Sequence, residues 1–155
     1  MGNDWNFFEY SADGSRVIVD SLMGCCSGNF SDIWKKYDFD RDQLHGHSGR
    51  VVIHYLNTVI DKMLANGVEP LQKNEIEYYS GKNRNFWWGV GESDTIRIRI
   101  VLHRLMLYRT YAEKHYQAYW FGDQTYYKGP YTIDGVEYVG KPDDSYWYEK
   151  EEEDY

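Results

Sequence analysis

Between Ser48 and Asn66, apolar residues return to one side of a helix: Val52, Tyr55, Leu56, Val59, Ile60 and Met63. A stripe of this width at helical spacing has to be buried against other elements, so it commits the chain to a packed core. Ser48 is placed to cap the start, and Asn66-Gly67 suits the left-handed turn that ends many helices.

The flanking segments follow a different period. Phe7 to Val19 places an Asp13-Gly14 turn between runs rich in aromatic and β-branched residues, which predicts an N-terminal hairpin. Ser31 or Asp32 is placed to cap a short helix through Ile33, Trp34 and Tyr37, after a glycine-rich loop around Cys25 and Cys26. Asn74 to Trp88 reads as strand and loop. A second long helix is expected from about Asp94 to Tyr119, because Ile100, His103, Leu107 and Tyr111 keep helical spacing. Alternation in Thr95 to Ile100 leaves a strand followed by a helix as the alternative. Beyond Gly122, short aromatic runs separated by Gly-Asp, Gly-Pro and Asp-Gly predict antiparallel strands at Tyr131–Ile133 and Val136–Val139.

The expected fold is therefore α+β. It has an N-terminal hairpin, two main helices over about 48–66 and 94–119, and short C-terminal antiparallel strands. A length of 155 residues suits one such domain, assigned to 1–142, with 143–155 as an acidic, aromatic tail. The longest greasy stretch, Ile96 to Tyr108, is interrupted by Arg97, Arg99, His103 and Arg104, so no membrane span is expected. Gly2, Asn3, Asp4 and Trp5 offer neither the basic nor the apolar part of a signal peptide, which makes a cytoplasmic location the expectation. Adjacent Cys25 and Cys26 are too close for an unstrained disulfide and are read as free thiols.

Charge is distributed unevenly. Residues 1–92 hold 13 acids and 9 bases, 93–122 hold 2 and 5, and 123–155 hold 10 and 3, for a net −8 overall. The acidic C-terminal third repels phosphate backbones and attracts basic surfaces, which argues against direct nucleic-acid binding.

Several partial motifs fail on their missing members. Asp38, Asp40 and Asp42 are spaced like the first ligands of a calcium loop, but Gln43 and Gly49 stand where the loop needs glycine and a bidentate glutamate. His45 and His47, with Asp42 and His54 nearby, do not complete a transition-metal set, and they are read as part of a solvated loop. Gly46 to Arg50 lacks the final glycine of a nucleophile elbow, and Gly89-Val90-Gly91 lacks the rest of a nucleotide fingerprint. Neither a catalytic residue, a metal nor a cofactor is expected.

Two functional readings follow. The first is a small acidic protein, not an enzyme, that binds a basic surface of another protein through Tyr146, Trp147, Tyr148, Glu149, Glu151, Glu152, Glu153 and Asp154. Exposed acids steer the encounter, and the aromatic side chains supply contact area with little entropy to lose. An inhibitor occupying the basic site of a nucleic-acid-handling enzyme, in the manner of a phage anti-defence or toxin immunity protein, is one specific version. The second is an anion-binding protein or enzyme with a pocket for a small or nucleotide-like anion, with Ser48 and Arg50 at a helix start and Arg97 and Arg104 beside aromatics. Arg97 and Arg104 have an internal alternative, pairing with the chain's own acids.

Overall fold

The computed structural model describes residues 4–24, 27–82, 85–122, 131–133 and 136–138. They form an α+β fold whose central layer is a three-stranded antiparallel sheet ordered β2-β1-β3. Strand β1 (Trp5–Tyr10) and strand β2 (Arg16–Leu22) make the expected hairpin, and β3 (Tyr119–Gly122) joins on the other side of β1. The hairpin register slips between Phe7 and Phe8, where β2 carries one extra residue. Such a bulge increases the local twist.

Helix α1 (Ser31–Lys36) is short, and α2 (Gly49–Ala65) is the amphipathic helix expected from the periodicity. Its residues Val52, Leu56, Val59, Ile60 and Met63 are all buried. Gly67, with φ +82, takes the left-handed conformation that turns the chain out of it. At the other end the Ser48 side chain makes no capping hydrogen bond. The backbone supplies the partners instead, because the Gly49 and Arg50 N–H groups donate to the carbonyls of Ala118 and Tyr116 at 2.9 and 3.0 Å.

Two expectations need correction. The segment read as strand and loop from Asn74 begins as a helix, α3 (Lys73–Ser80). It starts with a capping box in which Gln72 and Glu75 satisfy each other's backbone donors. Aromatic residues there had suggested a strand, but Tyr79 lies flat on Phe86 at 3.8 Å, a contact that a helix followed by a turn provides. The long helix α4 (Asp94–Lys114) starts where expected, with the Ser93 side chain accepting from the Ile96 N–H. It ends five residues before Tyr119. Tyr119 to Gly122 are taken up by the sheet instead, with Trp120 opposite Phe7 and Tyr119 opposite Phe8.

Helices α2 and α4 pack antiparallel, since Gly49 meets Ala112 and His115 while Asn57 meets Arg109. The sheet lays Trp5, Phe7 and Trp120 onto this pair, and Trp120 also lies 5.7 Å from Tyr108. Burial of large aromatics on this scale is the main favourable term holding the layers together. A separate pair, β4 (Tyr131–Ile133) with β5 (Val136–Tyr138), is antiparallel as expected. No helix among the described residues is long and apolar enough to cross a membrane.

Candidate functional site

The tail residues of the first reading, Tyr146 to Asp154, lie outside the described residues, as do Cys25 and Cys26. Ser48, Arg50, Arg97 and Arg104 are all placed, and they do not converge. Gly49 abuts His115 near the C-terminal end of α4. Arg97 is 18 residues earlier on the same helix, so about 27 Å separates its backbone from the Ser48-Arg50 end at 1.5 Å per residue. Around Ser48 and Arg50, Tyr116, Gln117 and Tyr119 border a shallow depression of about 230 Å³. The first N–H groups of α2, which would hold an anion, already donate to Ala118 and Tyr116.

Arg97 serves the fold. Its guanidinium reaches both Asp32 oxygens at 2.6 and 3.1 Å, Asp94 at 3.0 Å and the Asn29 carbonyl at 2.7 Å. That fork clamps the loop before α1 and its first turn onto the start of α4. The hydrogen bond from Arg97 holds the Asp32 carboxyl below its ordinary range. Arg99 does the same for the α2–α3 connection, donating to Glu69 O, Pro70 O and Glu75. Both arginines come from the one positive segment of the chain, and both are matched by the chain's own carboxylates and carbonyls.

Arg104 lies one helical heptad beyond Arg97 and sits in an aromatic setting, 5.9 Å from the Trp87 ring. Trp87 in turn contacts Phe86 and His103 at 5.0 and 5.3 Å. Lys82 completes the group by hanging 5.0 Å over exposed Tyr78 and 5.2 Å over Tyr79. These are cation–aromatic contacts at a partly open surface, each of modest strength.

His45 and His47 are not on a solvated loop. Both are buried, at 0 % and 1 % exposure. The segment Gly46–Ser48 runs along the free side of β3, with Gly46 N–H donating to Trp120 O and Trp120 N–H donating to His47 O. His45 Nδ1 accepts from the Gly122 N–H at 2.9 Å. Pairing with a strand about 70 residues away, invisible to local patterns, is what buries them. Burial pushes the His47 imidazole down to about 4, since a charged ring loses its hydration there.

The aspartate series also has a structural use. Asp40 accepts from the Asp42 N–H and caps the short 3-10 turn Arg41–Leu44, while the Tyr55 hydroxyl donates to the Asp38 carbonyl. Desolvation raises the Tyr55 phenol to about 12. Among the described residues, no three His, Cys, Asp or Glu side chains gather as a metal site would require.

One cleft went unanticipated. About 380 Å³ opens between the end of α1, the turn after α2 and the first turns of α4, bordered by Lys36, Tyr37, Asn66, Thr95 and Ile98. Its residues come from three separated segments, so no sequence spacing marks it. Arg99 also borders it but is committed to the Glu69–Glu75 contacts. Comparison with family models, with curated proteins and with solved structures returned no match.

Proposed function

We propose that this chain is an acidic protein-binding protein that acts by occupying a basic site on a partner protein. The observation that carries the reading is the internal matching of the positive segment. Arg97 is bound by Asp32 and Asp94, and Arg99 by Glu75. Of the arginines that would recruit an anionic ligand, Arg97 is thus spoken for, while the chain as a whole keeps a net −8.

Much of that excess lies in 143–155, with seven acids and one lysine among Tyr146, Trp147, Tyr148 and Tyr155. Long-range attraction brings such a segment to a basic surface, and the aromatic side chains then exclude water at the contact. A basic channel that handles nucleic acid is the kind of surface this combination fits. In its finer form the reading is therefore an inhibitor of such an enzyme, as anti-defence and immunity proteins are.

The test is co-purification of the tagged full chain from its native host, followed by kinetics with the retained protein. A stoichiometric basic partner is expected. Neutralising Glu149, Glu151, Glu152, Glu153 and Asp154 together slows association and flattens its salt dependence. Replacing Tyr146, Trp147 and Tyr148 by alanine speeds dissociation instead. Unchanged affinity and salt dependence after deletion of 143–155 would overturn the reading.

A further inference from the structure

The two edges of the three-stranded sheet differ. The outer side of β3 is closed by the chain itself, through the hydrogen bonds of Gly46 and His47 to Trp120. The outer side of β2 carries no strand among the described residues.

That strand, without an outer neighbour among the described residues, is also apolar where it meets solvent. Val17, Ile18 and Val19 are exposed by 60, 55 and 38 %, and Met23 just beyond by 73 %. Successive strand residues point to opposite faces, so exposure of both Val17 and Ile18 means that β2 projects beyond whatever covers either face. Unpaired main-chain groups beside apolar side chains are a template for another strand, and lysine or proline commonly guards such edges. Neither residue occurs between Arg16 and Leu22.

Charge selects the occupant. Residues 4–24 hold four acids, Asp4, Glu9, Asp13 and Asp20, against the single base Arg16; Asp20 is paired with His115 at 2.7 Å and Lys114 at 3.9 Å, so the acidic excess of the hairpin rests on Asp4, Glu9 and Asp13. Arg16 is drawn onto the Phe8 ring at 4.2 Å. A second copy would bring two acidic hairpins together, and the bulge opposite Phe7 and Phe8 twists β2 away from flat self-pairing. A basic strand meets the complementary field.

We infer that the outer edge of β2 receives an extended apolar and basic segment of the partner protein by main-chain pairing, as a second contact beside the tail. This rests on the proposed function only in taking the partner to be basic. Main-chain pairing supplies attachment, and the alternating side chains of the incoming strand set which sequences fit.

The experiment uses the full chain with a synthetic alternating lysine–valine peptide, and an alternating glutamate–valine peptide as control, followed by hydrogen exchange at individual amides. The lysine peptide is expected to slow exchange within Arg16–Asp20, and the glutamate peptide to leave it unchanged. Ile18→Lys and Val17→Lys, both at exposed positions, weaken binding of the lysine peptide by about tenfold or more with the melting temperature retained. Equal protection by both peptides, or protection confined to other segments, overturns the inference. Concentration-dependent dimerisation with protection of β2 in the protein alone also overturns it, and assigns the edge to a second copy.

The two proposals fail separately. If Ile18→Lys abolishes capture of the native partner while deletion of 143–155 does not, the edge stands and the tail falls. If the deletion abolishes capture, Ile18→Lys retains it and no peptide protects β2, the edge alone falls.

Discussion

Replacing Gly49 by alanine sets two opposed effects against each other at one atom. In an ordinary helix interior the change gains about 1 kcal/mol, because alanine loses less backbone entropy than glycine. Gly49 is not in an ordinary place. A Cβ there would lie 2.6 Å from the Ala112 carbonyl oxygen, 2.7 Å from that of His115 and 3.1 Å from the Tyr116 Cα. All three are backbone atoms, so no rotamer change relieves the contact. Restoring an ordinary distance of 3.4 Å requires the start of α2 and the end of α4 to separate by about 0.8 Å. Forcing one extra methyl into a packed interior typically costs about 1 to 3 kcal/mol. The strain also falls on the Gly49 and Arg50 donations to Ala118 and Tyr116, so we expect the cost to exceed the propensity gain, for a net loss of about 1 to 2 kcal/mol. Urea denaturation with the m-value held constant measures it. Gly81→Ala is the control, because its added methyl meets only the Tyr78 carbonyl at 3.5 Å and the backbone is already right-handed. That variant should be neutral or slightly stabilised. If Gly49→Ala proved as stable as Gly81→Ala, the close crossing of α2 and α4 would be refuted.

Other measurements probe the core, the clamp and the buried histidine. Leu56→Ala, at a side chain with 0 % exposure, should cost about 2 to 5 kcal/mol in denaturant titration; a change near zero would remove Leu56 from the core. Arg97→Met should cost about 1 to 2 kcal/mol, since it strips partners from the Asn29 carbonyl and Asp32 together, whereas Asp32→Asn, on a 62 % exposed side chain, should cost well under 1. Equal losses would contradict the asymmetry of that clamp. His47 is held near 4 in the fold, against about 6.5 unfolded, so between those values the unfolded chain binds the proton and the folded one does not. Stability from this group is complete above about pH 6.5 and is lost as pH falls toward 4, by about 3 kcal/mol at most. His103 is shifted the same way by burial and Arg104, so the comparison is the slope of stability against pH in His47→Gln and in the parent. Identical slopes would show that His47 does not titrate as its burial implies.

The elements legible in the sequence are those whose cause is local. Apolar spacing in Val52 to Met63, the Asn66-Gly67 stop and the Asp13-Gly14 turn each act within a few residues, so helix α2 and the hairpin follow from near neighbours. The start of α4 at Asp94 belongs with them, because Ser93 caps the backbone three residues on. Its end does not. Tyr111 to Tyr119 has no local reason to leave the helix at Lys114; Tyr119 to Gly122 leave because β1 offers them a ladder and a buried aromatic face. Strand β3 in turn draws His45 and His47 out of solvent. Arg97, which by sequence alone suited either an anion or an internal acid, is committed by Asp32, 65 residues away. That the outer side of β2 carries no strand among the described residues likewise follows only from the strand order. Local backbone preferences and turn chemistry thus determined helix α2, the N-terminal hairpin and the start of α4. Long-range pairing, which depends on residues brought together only after the chain has folded, decided where those segments stop, which polar groups are buried and which surfaces remain available for a partner.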